Sequence, residues 1–136
     1  MIAYLDTSCA VALLKREQKS QEITDYLEEW TDDGHLLVAG ELLATELNRV
    51  AIRFGIEAQK VQGIIEALNL VAHTSSDFRV AGQLPGGRLG SLDALHLATA
   101  LRIGVDALLS DDTELVSASE AAGIPVLDTS LPAREL

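Results

Sequence analysis

The sequence predicts an α/β fold, with a central and mostly parallel sheet of about five strands flanked by helices on both faces. Three observations carry this. Short apolar runs alternate with helical patterns along the chain. Hydrophobic residues make up 48% of it but aromatic residues only 4%, so the interior must be built from Leu, Val, Ile and Ala packed between layers. The 136 residues suit one compact domain, 1–136, large enough to bury a core.

Taken in order, Ile2 to Leu5 is an apolar strand that ends in Asp6-Thr7-Ser8 and leads into a helical segment from Cys9 to Leu14. From Ser20 to Asp33, Ile23, Leu27 and Trp30 recur at spacings of four and three with carboxylates between them. This is an amphipathic helix that Gly34 stops. Leu36 to Ala39 is a second strand. Leu43, Leu47, Val50 and Phe54 form the apolar stripe of a helix from Glu41 to Phe54, closed by Gly55. Glu57 to Leu68 is a fourth helix and Leu70 to Ala72 a third strand. Ser76 to Leu84 reads as helical, and Pro85-Gly86-Gly87-Arg88-Leu89-Gly90 is a glycine-rich loop. Ser91 is placed to cap the helix Leu92 to Arg102, which Gly104 ends before a fourth strand, Val105 to Leu109. Asp111 or Asp112 caps a helix through Ala122; Gly123 stops it, and Ile124 to Leu127 is the fifth strand.

No apolar stretch approaches the roughly 18 residues of a membrane span, and no basic flank precedes an apolar segment at the start, so a cytoplasmic protein is expected. Cys9, the one cysteine, has no disulfide partner or companion at metal-ligand spacing and reads as a small buried side chain. Ten Lys and Arg against 21 Asp and Glu give a net charge of −11, a field that repels phosphate. A site that gathers carboxylates around Mg²⁺ or Mn²⁺ is nevertheless acidic by necessity, and the cation reverses the local sign.

Asp6 and the Asp111-Asp112 pair directly follow strands, and in an open parallel sheet ligands gather at the carboxyl ends of strands. Each also fits a helix cap or turn. Asp93, His96 and Thr99 fall at spacings of three on an otherwise apolar helix. A buried carboxylate there costs roughly several kcal/mol unless paired or metal-bound, though Asp93 equally suits the helix dipole. His96 fits a core or supporting histidine better than a ligand. Glu46, with Arg49 and Arg53 three and seven residues later, reads by pattern alone as part of a solvated ion pair. Arg49, Arg53 and Arg88 are candidates for contacts to phosphate that offset the overall repulsion.

Asp6-Thr7-Ser8 after the first strand, Glu46-Leu47 on its helix, Asp93-Ala94-Leu95-His96-Leu97-Ala98-Thr99-Ala100, and Ser110-Asp111-Asp112-Thr113-Glu114-Leu115 together resemble the PIN domain, and VapC-type toxins of bacterial toxin–antitoxin pairs in particular. The resemblance runs in order over essentially the whole chain, to the strand entry Gly123-Ile124-Pro125-Val126. It implies a PIN-like three-layer sandwich and an Mg²⁺- or Mn²⁺-dependent endoribonuclease that hydrolyses RNA phosphodiesters. Asp6, Glu46, Asp93 and Asp112 take the positions of the acidic catalytic pocket, with Asp6, Asp93 and Asp112 as metal anchors and Glu46 orienting or deprotonating the attacking water. Ser8 and Ser110 take supporting hydroxyl positions. Glu41 rivals Glu46 and Asp111 rivals Asp112; the family's spacing favours Glu46 and Asp112. The resemblance also implies a small antitoxin partner and a homodimer.

Four other readings compete. A signalling receiver domain is similarly acidic and binds Mg²⁺, but expects an acidic pair at the first strand and a late lysine, whereas no lysine follows Lys60. A dehalogenase-like phosphatase wants a second aspartate where Ser8 stands. A housekeeping PIN nuclease of RNA processing shares every site residue, and a PIN fold that only binds would have lost one of the four acids.

Overall fold

The computed structural model describes residues 1–16 and 18–133. Its sheet has four strands, β1 (Ile2–Leu5), β2 (Leu36–Gly40), β3 (Asn69–Val71) and β4 (Ala107–Leu109), all parallel and in the order β3-β2-β1-β4. The helices among the described residues are α1 (Thr7–Leu14), α2 (Ser20–Asp32), α3 (Leu42–Phe54), α4 (Ala58–Glu66), α5 (Ser75–Ala81), α6 (Ser91–Ile103) and α7 (Thr113–Ala121).

Successive strand residues point to opposite faces, and both faces are covered. Ala3, Leu5, Leu37, Ala39 and Leu109 join one core with Trp30, Leu43, Leu47 and Val61 from α2, α3 and α4. Tyr4, Val38 and Leu108 join the other with Leu97, Ala100 and Leu115 from α6 and α7. This two-sided burial is why the strands read as short continuous apolar runs rather than alternating ones. Gly55 and Gly104 end α3 and α6 with φ of 67° and 76°, a left-handed conformation that costs a side chain energy.

Three local expectations are corrected. The predicted fifth strand is reduced to a single parallel bridge, Leu108 to Val126. Pro125 accepts from Leu108 but has no N–H of its own with which to extend a ladder. Gly90, not Ser91, is the N-cap of α6, and it offers no side-chain bond. The helix expected over Ser76 to Leu84 is the shorter α5, opened by a capping box between Thr74 and Asp77.

β2 and β3 extend the sheet on one side of β1 and β4 on the other. The crevice at the carboxyl ends of β1 and β4 is therefore a topological switch point. Asp6 follows β1 there, and Ser110-Asp111-Asp112 follows β4. Among the described residues, no helix is long and apolar enough to cross a membrane.

Candidate active site

A cleft of about 470 Å³ opens at this switch point, and Asp6, Ser8, Glu46, Asp93 and Asp112 line it together with Arg49 and Arg53. Four elements deliver the four carboxylates: the turn after β1, the second turn of α3, the first turn of α6 and the turn after β4.

Asp6 and Asp112 are also helix caps, so each serves the fold as well as the cleft. The Asp6 carboxylate accepts from the Ser8 backbone N–H to cap α1, and Asp112 accepts from Leu115 N–H at 2.9 Å to cap α7. The two serines join these caps. Ser8 Oγ and Ser110 Oγ donate to Asp6 Oδ2 at 2.7 and 2.9 Å, while accepting the N–H groups of Asp111 and Asp112 at 2.9 and 3.0 Å. The carboxyl ends of β1 and β4 are thus held in one arrangement, with Asp6 almost fully buried beneath it.

The capping bonds use one oxygen of each aspartate. Among the described residues no buried polar side-chain atom lacks a partner, so Asp6 Oδ1 and Asp112 Oδ2, which no described residue bonds, are open to the cleft. The Asp93 carboxylate makes no hydrogen bond to a described residue. Burial, with the charges of Asp6 and Asp112 close by, pushes its carboxyl up to about 6, the response expected of an acid crowded by like charge.

Glu46 is held differently. Thr7 Oγ1 donates to its Oε1 at 2.8 Å, and His96 Nε2 lies 2.7 Å from the same oxygen. Burial alone would raise this carboxyl, but the bonds from His96 and Thr7 outweigh it and leave it below the ordinary range. The expected pairing of Glu46 with the arginines of its own helix is replaced by contacts 39 and 50 residues away.

Hard, partly unbonded carboxylate oxygens suit Mg²⁺ or Mn²⁺ in chemistry. Among the described residues no three acidic or histidine side chains are drawn in tightly enough to enclose an ion as they lie. They line an open cleft, in which a hard cation would keep water among its ligands.

The rivals stand apart. Glu41 is exposed at the turn before α3, outside the cleft. Asp111 faces a separate hollow with Lys19 and Glu120. Arg88 is exposed on the loop before α6 and does not reach the cleft, whereas Arg49 and Arg53 line it. Cys9 is buried and its thiol is pushed up to about 12, chiefly by that burial.

A buried polar network behind Glu46 is not legible in the sequence. Tyr4 Oη lies 2.7 Å from His96 Nδ1 and accepts from Gly40 N–H at 3.0 Å. His73 Nε2 accepts from Leu42 N–H at 3.0 Å, and its Nδ1 lies 2.7 Å from Thr99 Oγ1, which donates to Asp77 at 3.0 Å. Arg102 closes the chain on Asp77 at 2.8 Å and, with the Thr74 cap and Thr99, holds that carboxyl down to about 2 despite burial. The stripe at spacings of three on α6 thus runs from Asp93 in the cleft through His96 and Thr99 to Arg102. The Thr74-x-x-Asp77 capping box is the one local signal for it.

The family model of the PIN domain matches residues 3–121. The chain belongs to the PIN-domain family. Among relatives, it is 33% identical over 130 residues to the Mycobacterium tuberculosis protein "Ribonuclease VapC46", covering 93% of this chain and 97% of the other. In fold it is similar to the Rickettsia felis VapBC2 structure bound to a promoter DNA fragment (TM-score 0.71, 14% identity, 93% and 98% of the two chains). It is likewise similar to a toxin–antitoxin complex from Klebsiella pneumoniae (TM-score 0.69, 22% identity, 93% and 97%). Membership in the PIN-domain family sets aside the receiver-domain and phosphatase readings.

Proposed function

We propose that this PIN domain is a divalent-metal-dependent endoribonuclease acting as the toxin of a toxin–antitoxin pair. The observation that carries the reading is the convergence of Asp6, Glu46, Asp93 and Asp112 from four elements on one cleft that also holds two arginines. Asp6, Asp93 and Asp112 would hold Mg²⁺ or Mn²⁺ through the oxygens their caps leave unused. When bound, the cation supplies positive charge for the phosphodiester and acidifies a water. Glu46, anchored through Oε1, has Oε2 with which to orient the attacking water and take its proton. Arg49 and Arg53, on the same face of α3, bind the phosphates flanking the scissile one, as arginine forks do well. The names of relatives support ribonuclease activity rather than binding alone.

The test is cleavage of total RNA by purified protein. Wild type should cleave with Mg²⁺ or Mn²⁺ and stop on adding EDTA, and Asp6→Asn and Asp112→Asn should each lose activity with the fold intact. Cleavage that survives EDTA and both substitutions sinks the proposal. A second measurement concerns the arginines: Arg49→Gln with Arg53→Gln should weaken RNA binding and lower the slope of log K against log salt by roughly 1.4, about 0.7 for each single-strand phosphate that is no longer neutralised. An unchanged slope would place the RNA on another surface.

A second cavity, of about 660 Å³, is distinct from the acidic cleft. It lies between α1, α2 and α4, lined by Leu13, Leu14, Leu27, Ile64 and Leu68, and shares α1 with the cleft. A mainly apolar groove joined to the acidic cleft through α1 suits an amphipathic segment of an antitoxin that continues along α1 and brings an Arg or Lys to the carboxylates. The structural neighbours captured as toxin–antitoxin complexes support this partner. The exposed Phe78 and Leu92, around a hollow between α5 and α6, are our candidates for the expected homodimer contact.

A further inference from the structure

We propose that His96, fixed in one tautomer by the Tyr4 hydroxyl, is a positioning residue that clamps one oxygen of Glu46 so that the other is presented to the cleft. The inference rests on the nuclease reading given above, which makes Glu46 the group that handles the attacking water.

The protons settle the tautomer. Gly40 N–H donates to Tyr4 Oη, so the single phenol proton is left for His96 Nδ1, 2.7 Å away. Nδ1 is then the acceptor and Nε2 carries the hydrogen. Nε2 lies 2.7 Å from Glu46 Oε1, so that hydrogen meets a carboxylate oxygen. The opposite tautomer would put a lone pair there instead. An imidazolium would leave the phenol proton without an acceptor inside a fully buried ring environment. Only the neutral Nε2–H form gives every proton in the chain Gly40, Tyr4, His96, Glu46 an acceptor.

The same contacts fix the backbone that carries Glu46. Gly40 ends β2, and a Cβ there would fall on the Tyr4 hydroxyl and the His73 ring, so only glycine lets the relay close. His73 accepts the N–H of Leu42, the first residue of α3, one of the donors a helix start leaves unpaired. Both ends of the lever are therefore pinned: the start of α3 by Gly40 and His73, and its carboxylate by His96 and Thr7. Since both side-chain donors to Glu46 meet at Oε1, Oε2 keeps its lone pairs for the cleft. A carboxylate anchored this way loses little rotamer freedom on reaching its reactive pose.

The test combines a spectroscopic readout with kinetics on the full chain. In long-range proton–nitrogen spectra of ¹⁵N-histidine-labelled protein, His96 should show the Nε2–H tautomer at neutral pH. Tyr4→Phe should move the Nδ1 resonance, and Glu46→Gln should move the Nε2 proton. With a fluorogenic single-stranded RNA oligonucleotide and saturating Mg²⁺, Tyr4→Phe and His96→Leu should each lower kcat by about 10- to 100-fold, the usual cost of losing a group that orients a reactive one, with KM within about twofold. His96→Gln, which keeps an N–H donor at the same position, should recover a large part of that loss, a rescue that a purely structural role would not give. Tyr4→Phe removes only a hydroxyl and serves if His96→Leu fails to fold. An Nδ1–H or doubly protonated His96, or wild-type kcat in Tyr4→Phe, overturns the proposal while leaving the nuclease reading in place. Failure of the wild type to cleave any RNA overturns that underlying reading, and the clamp's catalytic role with it.

Discussion

Asp93→Asn is expected to abolish RNA cleavage while making the metal-free protein more stable. The loss of activity should exceed the 10- to 100-fold typical of groups that only support a metal ligand, because Asp93 is proposed to be a ligand itself. The gain in stability follows from its pKa. In the folded protein the carboxyl sits at about 6 rather than at its ordinary value of 3.8, so the ionised form is what folding disfavours. Below about pH 4 the group is protonated in both states and costs nothing. The cost grows as pH rises toward 6 and is complete above it. For a fully buried acid a shift of that size would be about 3 kcal/mol. Asp93 is only partly buried, and solvent screening reduces this to on the order of 1 to 2 kcal/mol. Opposing it, the charge favours the N-terminal dipole of α6 by roughly 0.3–1 kcal/mol, which is smaller. The variant should therefore melt a few degrees above wild type at pH 7.5 and lose that advantage at pH 4. Mn²⁺ should reverse the order, since a ligand at 100 times its Kd stabilises by about 2.7 kcal/mol and the variant has lost an anchor. Thermal melts at the two pH values, with and without Mn²⁺, check both signs. A variant that melts lower than wild type at pH 7.5 and gains as much from Mn²⁺ would place the cation elsewhere.

The same residue shows what the sequence can and cannot convey. Its place on an apolar helix marks it as a carboxylate in need of compensation, because the cost of burial is a local property of the pattern. Asp6 and Asp112 read as caps, yet a cap does not remove them from the cleft: a carboxylate has two oxygens, and each aspartate spends one on its helix while lining the cleft. Glu46 misleads for the opposite reason. Its neighbours on α3 offer a plausible ion pair with Arg49, and nothing local indicates that His96, 50 residues on, reaches it. That contact exists only once α6 packs against β1 and α3. Alternation of apolar runs with helical stripes makes the layers legible, since two-sided burial is written into every strand. The final strand reads too strongly because its apolar run is given more weight than Pro125, whose missing N–H leaves only a single bridge. The net charge of −11 describes the whole surface, while Arg49 and Arg53 sit at the cleft, where the local field is what a phosphate meets.

Expression of wild type alone is expected to arrest growth of a bacterial host, Asp6→Asn to leave growth unaffected, and co-expression of a neighbouring small gene to restore it. The argument is one of competition for a single pocket. Asp6 is the most confined of the four acids, held by Ser8 and Ser110 at the carboxyl end of β1. Its conversion to an amide removes a charge and a hard ligand without changing shape, so the protein should stay folded and become harmless. An antitoxin that lays apolar side chains along the groove between α1, α2 and α4 and sets a guanidinium or ammonium among the carboxylates satisfies the same electrostatic demand as the metal. Cation and antitoxin are then linked: each must weaken the other's binding by the same factor. Titrating Mn²⁺ into the purified complex should accordingly raise the apparent Kd for the antitoxin, and Asp93→Asn should blunt that rise. Independent binding of metal and antitoxin would move the partner away from the acidic cleft. Equal harmlessness of wild type and Asp6→Asn, with soluble protein verified for both, would remove the toxin role and leave a PIN nuclease that acts in RNA processing without a guardian.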